Sequence, residues 1–282
     1  MVDQAESLRE AFKDYKKTKI ITIASGKGGV GKSVISVNLG LALSKLNKKV
    51  LVFDADFGLA NINVILGVLP KFTLMDVINN GKHLNDILIE VDNNFYIIAG
   101  VSGIYQLTKL SDKQYQKLLQ EFKLLNDFDF IIIDAGAGIS ENVLNMITAT
   151  QNSFIVTTPE PTAIADAYGI IKAVSNHKNF NKENTKLGLI VNRAKSISEA
   201  KIVYNRISSI VNSFLNINLD YIGFLLDDIV VPKSVREQTP FIVKNPNSKA
   251  SAAIYNIANK IVNFESSKNE GILNFFKKFL KF

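Results

Sequence analysis

An eight-residue segment near the start of the chain, GKGGVGKS at residues 26–33, restricts the folds open to this sequence more than any other feature. The apolar run at residues 20–24 has the composition of a buried strand, and the apolar residues from 33 to 46 recur with the period of a helix. Between a strand and a helix, such glycines let backbone N–H groups approach a phosphate, and the helix N-terminus adds positive potential. The segment therefore predicts a phosphate-binding loop.

Within this loop, two side chains have specific expected roles. We expect the Lys32 ammonium to neutralise the β and γ oxygens of a nucleotide and the Ser33 hydroxyl to hold Mg²⁺. The other loop residues expected to contact the nucleotide are Gly26, Lys27, Gly28, Gly29, Val30 and Gly31. The alternative is a glycine-rich turn that binds nothing, and the strand and helix on either side count against it.

Acidic residues follow two further apolar segments. Asp54 and Asp56 come after the predicted strand at residues 49–53, and Asp134 ends a mostly apolar strand that begins at Phe128. Carboxyl groups at the C-terminal ends of parallel strands lie on the edge where open α/β sheets bind ligands. Asp54 and Asp56 project to the same side of an extended chain, where they could coordinate Mg²⁺ through water or orient an attacking water. A plain turn at the strand end is the alternative.

The segment after Asp134 is also rich in glycine. Gly136 and Gly138 allow the backbone there to come close to a γ-phosphate. We expect Asp134, together with Asp54 and Ser33, to form the protein's part of an Mg²⁺ shell.

Apolar segments alternate with helical patterns along the chain, which predicts a doubly wound, mostly parallel α/β sheet. The predicted strands are residues 20–24, 49–53, 95–99, 128–134, 153–157, 186–191 and 219–224. Helical patterns cover residues 73–90 in short pieces and residues 111–126 without a break. The predicted organisation is an N-terminal helix at residues 1–17, one nucleotide-binding domain at 18–264 and a linker with a final helix at 265–282.

Composition excludes several classes of protein. There is no cysteine, so the chain forms no disulfide and no cysteine-ligated cluster or zinc site. No apolar run approaches the ~20 residues that span a bilayer, and the polar N-terminus is unlike a signal peptide, which predicts a cytoplasmic protein. The net charge of +7 indicates an acidic partner, either anionic lipid or nucleic acid, unless it only reflects a lysine-rich composition.

The last eleven residues have the pattern of an amphipathic helix. One half of the helical wheel is apolar and the other half is basic. The apolar half contains Ile272, Leu273, Phe275, Phe276, Phe279, Leu280 and Phe282, and the other half contains Asn274, Lys277, Lys278 and Lys281. This pattern predicts a helix that lies on an anionic membrane. The alternative is a C-terminal helix that is docked on the protein's own core or frayed.

The loop and three later segments resemble the MinD/ParA family of ATPases. The pattern K-G-G-x-G-K-[ST] is similar to that family's variant P-loop, and the resemblance implies that Lys27 reaches the nucleotide of a second subunit across a dimer interface. Residues 54–61 resemble the family's D-x-D-x-G-L-x-N segment, which implies that Asp56 positions the attacking water and that Asn61 lies close to it. The resemblance further implies that Asn192 and Arg193 contact adenine and that Pro232 lies near the base.

Three short strings resemble the FlhG branch of this family, whose members are also called FleN or YlxH. They are D-Q-A-x-x-L-R at residues 3–9, D-x-G-A-G with Gly136, and P-E-P-T at residues 159–162. The resemblance implies an ATP-dependent homodimer that lies on the inner face of the cell membrane and helps to set the number and placement of flagella. Flagellar C-ring proteins are further expected partners, and specific binding to nucleic acid is not expected.

Residues 3–15 form a short amphipathic pattern with Ala5, Leu8, Phe12 and Tyr15 on one face. In FlhG relatives this segment stimulates the GTPase FlhF, which implies a role for Gln4, Leu8 and Arg9 in activating an FlhF-like partner. The alternative is a helix that packs on its own domain. For the chain as a whole, the alternatives are a MinD-type cell-division ATPase and a ParA-like DNA partition protein that uses its positive charge on duplex phosphate.

Overall fold

The computed structural model describes residues 18–56, 61–100, 110–264 and 272–280, and in the last range the side chains up to residue 278. The strands are β1 (Lys19–Ser25), β2 (Val50–Ala55), β3 (Ile89–Asp92), β4 (Phe95–Ile98), β5 (Phe130–Ala137), β6 (Asn152–Thr157), β7 (Lys186–Ala194) and β8 (Leu219–Leu226). They form one sheet in the order β3-β4-β2-β5-β1-β6-β7-β8. Every neighbouring pair is parallel except β3 and β4. The predicted doubly wound, mostly parallel sheet is confirmed.

Helices connect these strands. The α-helices of the described residues are α1 (Lys32–Lys45), α2 (Ile62–Leu66), α3 (Leu74–Asn79), α4 (Leu84–Ile87), α5 (Asp112–Glu121), α6 (Glu141–Ala149), α7 (Pro161–Ser175), α8 (Ile197–Leu215), α9 (Val230–Arg236), α10 (Phe241–Lys244), α11 (Lys249–Val262) and α12 (Ile272–Leu280). A 3₁₀ helix, Phe122–Asp127, follows α5 directly. No helix in the described ranges combines the length and the apolar character needed to cross a bilayer.

The two faces of the sheet carry separate cores because successive strand residues point to opposite sides. In β1, Ile21 and Ile23 pack with α1, α2, α10 and α11 on one face. Ile20 and Ala24 pack with the remaining long helices and with α12 on the other face. The strand order changes direction at β1, which pairs with both β5 and β6. The loop after β1 therefore lies at the point where open α/β sheets bind ligands.

Two secondary-structure predictions were correct for most of their length and wrong at their C-terminal ends. The helical pattern at residues 73–90 runs into β3, whose Ile89 and Val91 turn inward while Glu90 and Asp92 turn outward. This short edge strand pairs antiparallel with β4. Its four residues alternate between apolar and acidic, which is a strand signal that the helical interpretation of residues 73–90 overlooked. The continuous helix predicted at 111–126 ends at Glu121 and becomes 3₁₀, because that winding places Phe122 and Leu125 on the same buried side.

The C-terminal helix was predicted to lie on a membrane, and that role stays a prediction, but the structure shows the helix docked on the protein. The side chains expected to face lipid are buried in the protein: Ile272 is 0% exposed, Phe275 2% and Phe276 0%. The Phe276 ring stacks on Phe122 with centroids 3.5 Å apart and meets the edge of Phe53 at 6.1 Å. Lys277 and Lys278 remain exposed. The amphipathic pattern was recognised, but in this structure its apolar face covers the groove formed by α6 and the 3₁₀ helix.

Candidate nucleotide-binding site

The glycine loop at residues 26–31 joins β1 to α1 at the ligand-binding edge of the sheet. Gly31 is the N-cap of α1 and has φ of 92°, a left-handed conformation that disfavours any residue with a side chain. A Cβ at this position would also lie 2.3 Å from the side-chain nitrogen of Asn192. The loop can therefore keep this shape only with glycine at position 31.

Lys32 is buried at the start of α1, and its Nζ lies 3.0 Å from Asp134 Oδ1. The same oxygen accepts a 2.8 Å hydrogen bond from Ser36 Oγ, one turn further along α1. Sequence reasoning missed Ser36, although its four-residue spacing from Lys32 on one helix face was an available signal. The ammonium is thus held at the floor of the loop, where it can meet the oxygens of a bound phosphate.

The oxygen atoms of Asp134 and Ser33 are suitable ligands for a magnesium ion. Asp134 Oδ2 is buried and has no hydrogen-bond partner among the described residues, which is costly unless a cation or water satisfies it. Ser33 lines the larger of the two cavities beside the glycine loop, which are described below. In the described ranges, no cluster of three or more His, Asp or Glu side chains could hold a metal ion unaided. Mg²⁺ typically takes one or two protein ligands and completes its shell with phosphate oxygens and water, so Ser33 and Asp134 are a suitable pair.

Asp54 has a structural role that the sequence did not predict. It is 1% exposed, and its Oδ1 accepts a hydrogen bond from the Asp56 N–H at 3.1 Å. Its Oδ2 accepts from the N–H groups of Asn61 at 3.0 Å and Ile62 at 3.2 Å. These bonds hold Asp56, Asn61 and Ile62 close to the end of β2. Burial, and then the charge of Asp134, raise the pKa of Asp54 to about 6. Membership of Asp54 in the Mg²⁺ shell stays a prediction.

Two adjoining cavities surround the glycine loop. The larger has a volume of about 560 Å³, and its lining includes Gly28, Gly29, Gly31, Lys32, Ser33, Asp56 and Asn61. Gly26, Lys27, Val30 and Gly138 are not among its described lining residues. The smaller has a volume of about 290 Å³, and its lining includes Gly29, Gly31, Asn192, Arg193 and Pro232. The two cavities share Gly29, Gly31 and Val34, so a phosphate chain in one and a base in the other would be continuous.

Asn192 holds the loop from the base side. It is buried, its Nδ2 donates a 2.7 Å hydrogen bond to the Val30 carbonyl, and its Oδ1 accepts from the Arg193 N–H at 2.9 Å. Arg193 has φ of 57°, a left-handed conformation that is uncommon for a residue other than glycine. The structure thus gives Asn192 a part in shaping the loop, in addition to its predicted contact with adenine.

The glycine-rich segment after β5 lies beside the loop. The Gly138 N–H donates a 2.9 Å hydrogen bond to the Ser25 carbonyl, so in this conformation it is engaged within the protein and not directed at a phosphate. A Cβ on Gly136 would lie 3.7 Å from Asp56 Oδ1. Asp56 and this segment therefore flank the same side of the larger cavity, as a group that positions an attacking water would need to.

Lys27 lies on the outer side of the loop. Its Nζ is 3.3 Å from Glu160 Oε2 and 3.0 Å from Thr162 Oγ1. Both partners belong to the P-E-P-T segment, where Pro161 is the first residue of α7. The lysine therefore points away from the phosphate cavity of its own subunit, which is compatible with its predicted action on another subunit.

The remaining predicted residues cannot be placed. Gln4, Leu8 and Arg9 lie outside the described residues, as do Lys281 and the side chain of Phe279. The predicted division into domains stays a prediction.

Comparisons with known proteins agree with this site. The family model for ParA, described as "NUBPL iron-transfer P-loop NTPase", matches residues 16–262. The chain is 36% identical to the antiactivator FleN of Pseudomonas aeruginosa, over 92% of this chain and 91% of FleN. It is also 36% identical to the flagellum site-determining protein YlxH of Helicobacter pylori, over 97% and 94% respectively. Among solved structures, it resembles the septum site-determining protein MinD of Pyrococcus horikoshii in complex with Mg-ADP, with a TM-score of 0.68 and 25% identity over 87% of this chain and 96% of MinD.

Proposed function

Because the chain belongs to the ParA/MinD family of P-loop NTPases, we propose that it is an ATPase that sets the number and placement of flagella. The observation that carries the flagellar assignment is the similarity to FleN and YlxH over more than nine tenths of the chain. Deleting the gene in its host and counting flagella by electron microscopy tests the proposal. An unchanged number and position of flagella would contradict it.

The proposed reaction is hydrolysis of ATP to ADP and phosphate. Lys32 binds the β and γ phosphates, and Asp56 orients the attacking water at the edge of the larger cavity. Mg²⁺, held by Ser33 and Asp134, supplies positive charge to the phosphates when it is bound. Phosphoryl transfer depends on such positioning and charge stabilisation more than on covalent chemistry. These residues therefore supply the types of group that ATP hydrolysis needs.

We further propose that ATP drives formation of a homodimer through Lys27. Its ammonium is at the surface and directed away from the larger cavity of its own subunit. A second subunit would therefore gain a positive charge beside its γ-phosphate on association. The Lys27→Ala protein should remain monomeric with ATP in analytical ultracentrifugation, whereas normal dimerisation of this variant would exclude the role in trans.

Membrane binding requires a change at the C-terminus. The apolar face of α12 is buried against Phe122 and Phe53, so the helix must leave this groove before it can insert into lipid. We propose that the ATP-bound dimer releases α12, and that two released helices in one dimer bind more strongly than one by avidity. In this proposal the protein is cytoplasmic when α12 is docked and lies on the inner face of the membrane when α12 is released.

The N-terminal segment is proposed to act on an FlhF-like GTPase. A glutamine amide can orient a nucleophilic water beside a nucleotide, and Gln4 is the candidate. A peptide of residues 1–17 should accelerate GTP hydrolysis by the GTPase from the same host, and the Gln4→Ala peptide should not. If neither peptide nor full-length protein accelerates hydrolysis, this role is wrong. Binding to C-ring proteins can be tested by co-purification from the same host.

A cell-division role is the second candidate, favoured by the similarity to MinD of Pyrococcus horikoshii over 96% of that protein. The two roles differ in the phenotype of the deletion. Misplaced septa with normal flagella would support the second role, and altered flagella with normal septa would support the first.

A further inference from the structure

The P-E-P-T segment contacts the outermost residue of the glycine loop. Lys27 Nζ approaches both the Glu160 carboxylate, at 3.3 Å, and the Thr162 hydroxyl, at 3.0 Å. Glu160 and Thr162 lie 133 and 135 positions after Lys27 in the sequence, so both contacts depend on the fold. The Lys27 ammonium has three N–H donors, and it directs one to the charged Glu160 carboxylate and one to the neutral Thr162 hydroxyl.

The backbone keeps these partners in place. Gly26, next to Lys27, packs so closely on α7 that a Cβ there would lie 2.1 Å from the Asp166 carbonyl oxygen. Asp166 lies one helical turn after Thr162. On the other side, the buried Thr157 hydroxyl donates a 3.0 Å hydrogen bond to the Ala163 carbonyl and ties the first turn of α7 to the end of β6. The positions of Glu160 and Thr162 relative to Lys27 are thus set by buried contacts on both sides.

We propose that Glu160 and Thr162 form a latch that holds Lys27 within its own subunit and competes with the ATP-dependent homodimer. The inference rests on the proposed function, because the latch matters only if Lys27 acts in trans. To reach the phosphate of a second subunit, the ammonium must exchange these two acceptors for phosphate oxygens. The latch therefore adds an opposing contribution to dimerisation, and the γ-phosphate supplies the negative charge that overcomes it.

Exposure limits the strength of the latch. The side chain of Lys27 is 40% exposed and that of Glu160 is 54% exposed, so water and salt screen the pair. Exposed ion pairs of this kind change an equilibrium by about 1.5- to 5-fold. A symmetric dimer releases two latches, so the effect on its dissociation constant is the square, roughly 2- to 25-fold.

The test uses the full-length chain with Glu160→Gln, which keeps the shape of the side chain and removes its charge. Glu183→Gln is the matched control, since Glu183 is an exposed acid in the segment before β7 and the change in net charge is identical. Two measurements are made: reductive methylation of Lys27 without nucleotide, followed by mass spectrometry, and dimerisation with ATP by analytical ultracentrifugation.

Two results are expected for Glu160→Gln relative to wild type and to the control. Lys27 should be methylated about 1.5- to 5-fold faster, because a paired ammonium reacts more slowly, and the dimer dissociation constant should fall by roughly 2- to 25-fold. Thr162→Val should shift both in the same direction by less. An unchanged methylation rate, or a dimer that is equal to or weaker than the control, overturns the latch. If wild-type protein fails to dimerise with ATP, the proposed function fails, and the methylation rates alone decide whether the latch forms.

Discussion

The edge of the sheet that carries the glycine loop and the groove that holds α12 differ in whether their buried side chains find all their partners within the protein. At the edge, charged groups such as Lys32 and Asp134 are buried as a pair with one carboxylate oxygen unsatisfied, which suits a charged ligand. In the groove, the Phe276 ring is fully buried, stacks on Phe122 and meets the edge of Phe53. The comparison teaches that the sheet edge keeps a buried oxygen for a ligand to satisfy. The apolar face of α12 is instead already covered by the protein, so this helix must leave the groove before it can contact lipid.

The largest effect is expected at the edge. Asp56→Asn removes a carboxylate that orients water but leaves the phosphate contacts of Lys32 intact, so kcat should fall by about 10²- to 10⁴-fold while ATP affinity changes little. Steady-state phosphate release and equilibrium nucleotide binding check this. Asp220→Asn, an exposed acid at the start of β8, is the control. Retained turnover in Asp56→Asn would remove Asp56 from its proposed role.

The second effect is expected in the groove. Phe276→Ala deletes a fully buried ring and should lower the free energy of unfolding by about 3–5 kcal/mol, limited to the free energy of docking if α12 detaches while the rest stays folded. Urea denaturation measures the loss. Asn274→Ala, on the exposed side of the same helix, should change stability little. Equal stability of the two variants would show that α12 does not dock in solution as it does here.

The third effect connects charge burial with pH. The pKa of Asp54 is about 6 when folded against an ordinary value of 3.8, so the folded state binds this proton more tightly than the unfolded state. The raised pKa therefore costs stability above pH 6, and the cost disappears as pH falls toward 4. Asp54→Asn mimics the protonated form. Its free energy of unfolding relative to wild type should fall by up to about 3 kcal/mol between pH 7.5 and pH 4.

Urea denaturation of both proteins across this pH range is the measurement. A difference in stability that does not vary with pH would mean that Asp54 is ionised with an ordinary pKa, and that its three backbone contacts offset its burial.

The smallest effect concerns the exposed side of α12. Replacing Lys277 and Lys278 with alanine should weaken binding to anionic liposomes by about 2 kcal/mol, or roughly 30-fold, because each lysine near the surface contributes about 1 kcal/mol. Protein stability should change little, since both side chains are exposed. Double replacement with arginine keeps the charge and should keep the binding. Unchanged binding of the alanine variant in a sedimentation assay would exclude this side of the helix from membrane attachment.

Much of the edge could be predicted from sequence because its signals are local. The glycine loop, the acids after β2 and β5 and the alternation of strands with helices along the chain each follow from spacing within a few residues. The partners of these groups could not be predicted in the same way. Ser36 meets Asp134 across 98 positions, and Lys27 meets Glu160 across 133, so both contacts exist only after the sheet has formed.

The groove shows a different limit. The period of residues 272–282 predicts a helix with one apolar face, and the structure buries that face at Ile272, Phe275 and Phe276. A period, however, carries no information about what covers the apolar face. Lipid and protein core satisfy the same pattern. In this conformation the apolar face is covered by protein, because Phe276 packs against the rings of Phe53 and Phe122. These two residues lie 223 and 154 positions before Phe276, so a local pattern cannot reveal them.

Hydrogen–deuterium exchange over the 3₁₀ helix, Phe122–Asp127, tests the central claim most directly, because α12 packs against this element. The full-length protein is measured with ADP, with ATP, and with ATP and anionic liposomes. Release of α12 by the ATP-bound dimer predicts strong protection of residues 122–127 with ADP and faster exchange with ATP, both in solution and on liposomes. Liposome-bound protein in which these residues stay as protected as with ADP would show that the membrane is reached without opening the groove, and would contradict the account.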